Sequence, residues 1–130
     1  MPDAAAALLI DTDVLIDYLR GHAAAVSYLE SLIEPLLISA ITVAELYAGV
    51  REGTERQALE SFLTAFQIVI ANEMIAKQGG LYRRDYGKSH NVGLADALIA
   101  ATVELRGATL VTLNRKHFPM LAKVTVPYTK

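Results

Sequence analysis

Three acidic residues lie far apart in this chain of 130 residues, and each stands at the edge of an apolar run. Asp11 follows the run AALLI, Glu45 lies within SAITVAELYAG, and Asp96 lies near the start of LADALIAATVEL. Removing a carboxylate from water costs free energy unless a hydrogen bond or a charge compensates the loss. If folding brings these three carboxylates together, their oxygens would form a pocket suited to a hard divalent cation.

Each of the three acids also has a structural interpretation. Asp11 could simply cap the helix that follows the first predicted strand. Thr42-x-x-Glu45 matches a capping box, and Glu45 falls outside the apolar stripe of its helix, so periodicity favours a capping or solvent-facing side chain. Asp96 falls in the first turn of a helix, where a negative charge suits the helix dipole. The almost wholly apolar neighbours of Asp96 nevertheless indicate a buried role.

Four further polar residues could belong to the same site or support it. Asp13 follows two positions after the first acid, whereas Asp17 lies one turn further on and is predicted to pair with Arg20. Asn114 follows the segment LVTL, where it could be a turn residue or an oxygen ligand. Thr112 could support the pocket through a hydrogen bond from its hydroxyl group.

Basic and aromatic side chains alternate in the segment LYRRDYGKSH, shortly before the third acid, and RKH forms a second basic cluster. This combination suits a nucleic-acid backbone and its bases, although a solvated helix face is the simpler interpretation. The three histidines show no zinc-type spacing. The predicted substrate contacts are Arg83, Arg84, Lys88, Arg115 and Thr112.

The composition narrows the class of protein. The length favours one domain over residues 1–130, and a formal net charge of −2 gives no global field that attracts nucleic acid. The absence of cysteine excludes disulfides and fits a cytoplasmic location. The start MPDAAAALLID predicts neither a signal peptide nor a membrane span. The 53% hydrophobic content favours an apolar surface covered by a partner or a second copy, unless the many alanines account for it.

Apolar runs alternate with helical patterns along the whole chain. The predicted strands are 8–10, 36–39, 66–70, 108–112 and a short edge strand at 124–126. The first predicted helix is capped by Thr12 or Asp13 and runs to about residue 20. The other predicted helices are 23–34, 42–52, one that starts with a capping box at Thr54, 72–86 and 94–106. This order is typical of an α/β fold with a parallel sheet covered on both faces. Sites in such folds lie beyond the carboxyl ends of the strands, where Asp11 and Asn114 fall.

Three segments, in this order and spacing, resemble the sequence blocks of PIN domains, specifically those of the VapC toxin type. They are LLIDTDVLIDYL, ISAITVAELYAGV and GLADALIAATVELRGATLVTLNRKHF, and together they span essentially the whole chain. The resemblance implies a PIN-like αβα sandwich with a central parallel sheet of four to five strands. It also implies that Asp11, Glu45 and Asp96 are the catalytic acids, which reverses the interpretation of Glu45 from periodicity.

PIN domains are known as Mg²⁺- or Mn²⁺-dependent ribonucleases, and VapC-type members are toxins held by a VapB-type antitoxin. The resemblance therefore implies a toxin of a toxin–antitoxin system that hydrolyses RNA phosphodiester bonds with a metal-activated water. A homodimer is also implied, and it would account for the apolar excess.

The sequence departs from the family pattern at two positions. The family often has a fourth acid after LVT, where this chain has Asn114, and many relatives have a small polar residue where this chain has Asp13. An amide oxygen coordinates more weakly than a carboxylate, and Asp13 would restore the missing charge. The implied metal ligands are therefore Asp11, Asp96, Glu45, Asn114 and Asp13.

Two other functions fit parts of the sequence. LLIDTDVLI matches the opening motif of haloacid-dehalogenase-type phosphatases, with Asp11 as nucleophile and Asp13 as general acid, but LVTLNRK lacks the late acidic pair of that family. A catalytically inactive PIN fold that serves as a protein-binding module is the second alternative, with Asn114 as the sign of a lost acid.

Overall fold

The computed structural model of the protein describes residues 7–130. The elements in chain order are β1 (Leu8–Ile10), α1 (Thr12–Leu19), α2 (Ala23–Glu30), β2 (Leu36–Ser39), α3 (Ala40–Ala48), α4 (Thr54–Leu63), β3 (Gln67–Val69), α5 (Glu73–Tyr86), α6 (Leu94–Arg106), β4 (Thr109–Val111), a 3₁₀ helix (Arg115–His117) and β5 (Val124–Thr125). The expectation that no leader precedes Asp11 falls largely on residues 1–6, which lie outside the described part.

The five strands form one parallel sheet in the order β3-β2-β1-β4-β5. β1 is central, with Leu9 aligned to Leu37 of β2 and Ile10 aligned to Val111 of β4. The carboxyl ends of β1, β2 and β4 therefore meet at one edge, immediately before Asp11, α3 and Thr112. The predicted α/β class and parallel sheet are confirmed, and the sheet has five strands.

Alternate residues of each strand enter two separate cores, because successive side chains of a strand point to opposite faces. Leu9, Leu37 and Leu110 pack with α5 and α6 on one face. The next residues along the strands, Ile10, Ile38 and Val111, pack on the other face. The helical side chains of that second core come from α1 to α4: Val14, Leu15, Leu29, Leu46, Leu59 and Leu63. This arrangement is the predicted αβα sandwich.

Helix ends account for most differences from the predicted elements. α3 begins at Ala40, because Ser39 caps it by accepting a hydrogen bond from the Ile41 amide at 2.9 Å. The predicted capping box at Thr42 is therefore wrong. The one at Thr54 is also wrong, because Gly53, with a φ of +91°, is the residue before α4 and provides no side-chain cap. α2 ends at Glu30 and α3 at Ala48, each four residues before the predicted end.

α5 and α6 pack closely because a glycine faces the contact. A Cβ atom at Gly79 would lie 2.6 Å from Cδ2 of Leu98 and 3.1 Å from its Cα. Only glycine, whose side chain is a hydrogen atom, lets α6 approach α5 this closely. This contact matters for function because α6 carries Asp96 in its first turn.

The carboxyl-terminal residues are tied to α1 through Asp17. Its Oδ2 accepts a hydrogen bond from the Tyr128 hydroxyl at 2.8 Å, and its Oδ1 lies 3.0 Å from Nζ of Lys130. Burial alone would raise the pKa of Asp17, but the bonds from Lys130 and Tyr128 and the Lys130 charge outweigh it and lower the pKa. The predicted ion pair with Arg20 is therefore wrong, and Asp17 has the structural role expected of it.

Among residues 7–130, no helix has the length and apolar character needed to cross a membrane.

Candidate active site

Asp11 is both the cap of α1 and the most buried carboxylate at the carboxyl edge of the sheet. Its Oδ1 accepts a hydrogen bond from the Thr12 amide at 2.8 Å, and its Oδ2 accepts one from the Thr112 hydroxyl at 2.7 Å. Only 5% of the residue is exposed. The capping interpretation of Asp11 is confirmed, and it is compatible with a site role because the same side chain lies at the carboxyl edge of the sheet.

The surroundings of Asp11 oppose its ionisation. Burial is the largest effect and, with the negative charge of Asp13, raises the pKa of Asp11 to about 7. The hydrogen bonds from Thr112 and Thr12 act in the opposite direction, whereas the charge of Asp96 raises the pKa further. A positive charge placed beside Asp11 would lower its pKa and favour the ionised carboxylate.

Asp13 is held by the segment that follows β4. Its Oδ2 accepts hydrogen bonds from the Leu113 amide at 3.1 Å and from the Asn114 side-chain amide at 3.2 Å. Its Oδ1 is buried and has no hydrogen-bond partner among the described residues. Burial raises the pKa of Asp13, while the hydrogen bond from the Leu113 amide acts in the opposite direction. This oxygen is therefore a buried hydrogen-bond acceptor that no described residue satisfies.

Thr112 joins the two sides of this arrangement. Its hydroxyl donates to Oδ2 of Asp11 and accepts from the Asn114 amide at 3.0 Å. The side-chain nitrogen of Asn114 donates to Asp13, so the side-chain oxygen of Asn114 is the atom left for a ligand. The predicted supporting role of Thr112 agrees with this geometry.

Glu45 reaches the site from α3. The residue is exposed, and its Oε1 accepts a hydrogen bond of 2.6 Å from the hydroxyl of Thr12, the residue after Asp11. The Thr12 hydroxyl also lies 2.9 Å from that of Thr42. Periodicity was right that Glu45 faces solvent, but it could not show that this solvent-facing side chain is fixed beside the first acid.

Asp96 is oriented by a histidine that the sequence did not single out. The Asp96 side chain is 29% exposed, and its Oδ2 lies 3.2 Å from Nδ1 of His117 in the 3₁₀ helix. Burial raises the pKa of Asp96, and the charge and hydrogen bond of His117 counteract this rise. The RKH cluster directly after Asn114 was the available signal, but as a basic cluster it predicted contacts with nucleic acid rather than with Asp96.

The donor chemistry of this pocket fits a hard divalent cation, although the side chains are not gathered as a ready cage. Among residues 7–130, no three acidic or histidine side chains form a group that could hold a metal ion as they stand. Two of the acids instead contact other side chains, Glu45 the Thr12 hydroxyl and Asp96 the His117 ring. The residues nevertheless offer a cation a buried, unpartnered oxygen at Asp13 and a carboxylate at Asp11 whose raised pKa a positive charge would lower.

Of the five predicted substrate contacts, Thr112 is fully buried and therefore not exposed to a substrate, and the other four divide into two groups. Lys88 and Arg115 line a surface groove of about 490 Å³, together with His90, Lys116 and His117. Neither Arg83 nor Arg84 is among its lining residues. Arg84 pairs with Asp85 at 2.8 Å, and the Arg83 guanidinium lies over Gly87 at the end of α5.

A second groove, of about 440 Å³, lies between α1, α3 and α4. Its apolar lining consists of side chains from all three helices and the turn after α3: Ile16, Leu19, Leu46, Val50, Ala58 and Leu59. Charged residues also line it, and Glu45 is one of them. The candidate site and this groove therefore share a residue.

Comparisons with known proteins agree with this architecture. Residues 8–124 match the PIN domain family. Ribonuclease VapC10 of Mycobacterium tuberculosis is 43% identical over 124 residues, which cover 93% of this chain and 92% of that protein. The fold is also similar to a toxin–antitoxin complex from Klebsiella pneumoniae, with a TM-score of 0.82, 31% identity, and 95% of this chain and 99% of that chain covered. The crystal structure of FitAcB from Neisseria gonorrhoeae matches with a TM-score of 0.74 and 32% identity, over 92% of this chain and 97% of that one.

The family match includes the three acidic segments, the strand ends and the residues that connect them. It sets aside the haloacid-dehalogenase interpretation, which rested on the first segment alone. Together with the parallel sheet and the acidic pocket at its carboxyl edge, it establishes that the chain belongs to the PIN domain family.

Proposed function

We propose that this protein is a divalent-metal-dependent ribonuclease that acts as the toxin of a VapBC-type toxin–antitoxin system. The observation that carries the proposal is the buried Asp11 carboxylate, which the Thr12 amide and the Thr112 hydroxyl hold at the carboxyl edge of the sheet. Relatives named as ribonucleases support the RNA substrate. A substrate of this kind implies action in the cytoplasm.

In this proposal the acids hold an Mg²⁺ or Mn²⁺ ion. Asp11 and Asp96 are the first ligands, and oxygens of Glu45, Asp13 and Asn114 complete the set. When bound, such an ion supplies a strong nucleophile from water at neutral pH and offsets the negative charge of the phosphodiester. The preference of Mg²⁺ for oxygen ligands and retained waters matches a donor set without sulfur or nitrogen.

The chain itself supplies position and charge. Thr112 fixes the Asp11 carboxylate from the β4 side, and Thr12 orients Glu45 from the α1 side. Glu45, as the most exposed of the site acids, is placed to orient water and to accept its proton. No covalent intermediate with the enzyme is required, because the incoming oxygen comes from water.

The test is an RNA-cleavage assay on the Asp11→Asn variant, with Asp85→Asn as the control. The introduced asparagine keeps one oxygen that can still cap α1, and its amide nitrogen can donate to the Thr112 hydroxyl, so the fold should survive. Cleavage should fall by about a hundredfold to a thousandfold, the size expected for losing a central charge-stabilising group. Asp85 is exposed and lies outside the site, so its variant should remain active. Undiminished cleavage in EDTA, or a fully active Asp11→Asn variant, would contradict the proposal.

We further propose that the groove between α1, α3 and α4 binds an amphipathic helix of the antitoxin. Its apolar lining fits the apolar face of such a helix, and Arg20, Arg51 and Glu55 provide polar contacts at its margin. Because Glu45 lines the same groove, an occupant would reach the catalytic acids. The similar fold from Klebsiella pneumoniae is that of a toxin–antitoxin complex, which supports an antitoxin as the partner.

Co-purification tests this partner. The product of a small gene adjacent to the toxin gene should bind the unmodified chain and inhibit its cleavage of RNA. Ala58→Arg should weaken this binding by placing a charge against the apolar face, while RNA cleavage by the free variant should be retained. Unchanged binding by that variant would exclude the groove as the antitoxin site.

The inactive binding module remains the second candidate, because Asn114 stands where the family often has an acid. Calorimetric titration with Mn²⁺ separates the two functions. Binding that Asp11→Asn abolishes supports the nuclease, whereas no heat of binding at a pH of about 8, above the raised pKa of Asp11, supports the module.

A further inference from the structure

We propose that the groove lined by Lys88, His90, Arg115, Lys116 and His117 binds a single-stranded segment of the RNA next to the cleaved bond. These residues come from the loop after α5 and from the 3₁₀ helix, and we call the surface the basic groove. The inference rests on the proposed nuclease function, and it assigns the surface that holds the substrate.

The basic groove concentrates positive charge. The chain as a whole carries a formal net charge of −2, so attraction of a polyanion requires a local concentration of cations. Lys88, Arg115 and Lys116 all line the basic groove and are exposed. No acidic side chain is among its lining residues in the described part of the chain. Phosphate contacts by such side chains dominate the affinity for nucleic acid.

The groove also adjoins the acidic site. His117 lines the groove and at the same time lies 3.2 Å, through its Nδ1, from Oδ2 of Asp96. Asn114, which donates to Asp13, is the residue before Arg115. A strand lying in the groove would thus pass from the cations directly to the carboxylates.

Two side chains of the groove are held in place before any ligand arrives. Nη2 of Arg115 donates to the Val124 carbonyl at 2.9 Å, which fixes the guanidinium while leaving other N–H groups for phosphate oxygens. The His90 ring lies edge-on to Tyr86, with 5.8 Å between the ring centroids, and its Nδ1 lies 2.8 Å from the Ser89 hydroxyl. Ordering these groups beforehand reduces the entropy lost on binding.

The fixed His90 ring favours single-stranded over duplex RNA. Unpaired bases stack on exposed aromatic rings, whereas the bases of a duplex are already stacked on one another. A cationic groove with one ring at its side therefore fits a backbone with at least one unpaired base.

The experiment measures binding separately from cleavage. Fluorescence anisotropy of a labelled single-stranded oligoribonucleotide is recorded in EDTA, with Asp11→Asn present in every variant so that no cleavage occurs. The groove variant carries Lys88→Gln, Arg115→Gln and Lys116→Gln. The control carries Arg56→Gln, Lys77→Gln and Arg106→Gln, three exposed cations on α4, α5 and the far end of α6 from Asp96, and it makes the same change in net charge.

The groove variant is expected to lose affinity by about tenfold or more at low salt, and its slope of log affinity against log salt should fall by about 2, at about 0.7 per lost phosphate contact. The control should bind as the parent does. His90→Ala should lower the affinity several-fold, and duplex RNA should compete poorly. Circular dichroism and thermal unfolding check that each variant is folded.

Equal losses in the groove variant and the control, or no loss in either, would overturn the inference, and so would duplex RNA that competes as well as the single strand. These outcomes are distinct from a failure of the proposed function. A protein that cleaves RNA but binds it equally well without the groove cations contradicts the inference alone, whereas one that binds RNA through the groove but never cleaves it contradicts the nuclease alone.

Discussion

Thr112 lies at the centre of the acidic site although it carries no charge. It is fully buried, and its hydroxyl links the Asp11 carboxylate to the Asn114 amide. A buried carboxylate depends on such donors, because each hydrogen bond to its charged form lowers its pKa. At the scale of single residues, the site is therefore a set of acids whose charge is controlled by two threonines and one histidine.

The Thr112→Val variant should show how much the hydroxyl contributes. It leaves the Asn114 amide without its acceptor and Asp11 without one donor, so the free energy of unfolding should fall by about 1–3 kcal/mol. The pKa of Asp11 should rise further, which weakens Mn²⁺ binding more at a pH of about 7 than at about 9. Urea unfolding and calorimetry measure the two effects. Thr112→Ser keeps the hydroxyl and serves as the control, so equal behaviour of the two variants would refute this role.

The raised pKa of Asp11 also predicts how stability depends on pH. The folded protein holds the Asp11 proton more tightly than the unfolded chain does, so the metal-free protein should lose stability as the pH rises from about 4 to about 7. The loss from this group is of the order of a few kcal/mol. Asp13 and Asp96 act in the same direction, because their pKa values are also raised.

Unfolding of metal-free protein at a series of pH values measures this dependence, and Asp11→Asn should flatten it. Saturating Mg²⁺ should restore stability at a pH of about 8, because a cation bound to the ionised acid opposes the same repulsion. Asp17 does not obscure the result, since its lowered pKa confines its contribution to more acidic pH. A stability that increases steadily from a pH of about 4 to about 7 without metal would contradict the prediction.

At the scale of elements, the site depends on where α6 lies. The first turn of this helix carries Asp96, and the helix packs on α5 through Gly79 and Leu98. The 3₁₀ helix then brings His117 to the same carboxylate. Two elements that are separate in sequence thus set the position of one acid.

Gly79→Ala and the neighbouring Gly80→Ala form a matched pair that tests this packing. A Cβ atom at residue 79 would meet the backbone and side chain of Leu98, whereas one at residue 80 would meet nothing within 4 Å. Gly79→Ala should destabilise the protein by about 1–3 kcal/mol through overpacking. Gly80→Ala should stabilise it by up to about 1 kcal/mol, because alanine favours helix. Thermal unfolding decides between these signs, and a stabilised Gly79→Ala would show that α6 does not need this close approach.

At the scale of the whole molecule, the chain leaves apolar side chains exposed beside an outer strand of the sheet. β3 is the last strand in the order, and Ile70, just after it, is 71% exposed. Met74, in the first turn of α5, is 62% exposed. Side chains of this kind at a sheet edge favour covering by another molecule.

The homodimer remains a prediction, and this surface gives it a test. Ile70→Lys together with Met74→Lys should convert a dimer to a monomer, because two charges cannot be buried against an apolar partner without a large cost. Light scattering after size exclusion measures the mass. Ile33→Lys, at a residue 96% exposed in the loop before β2, is the control. A double variant that remains a dimer would place the interface elsewhere.

Much of the fold was predictable because its signals are local. Continuous apolar runs alternating with helical patterns indicate a buried parallel sheet, and each predicted strand is present within two residues at either end. Helix starts were predicted less well. The position of a helix cap depends on where the chain ends the preceding strand. At α3 the cap is Ser39, the last residue of β2, and not the predicted Thr42.

The sequence by itself determined the parallel α/β sandwich and the position of Asp11 at the end of the first strand, because both follow from the spacing of apolar and polar residues along the chain. Only the tertiary structure decided what each acid contacts. Glu45 contacts Thr12, and Asp96 contacts His117. The partners of each pair lie far apart in the sequence, and the spacing of apolar residues does not predict such contacts. Burial, which raises the pKa of Asp11 to about 7, is likewise a property of the packed elements around the residue rather than of its neighbours in sequence.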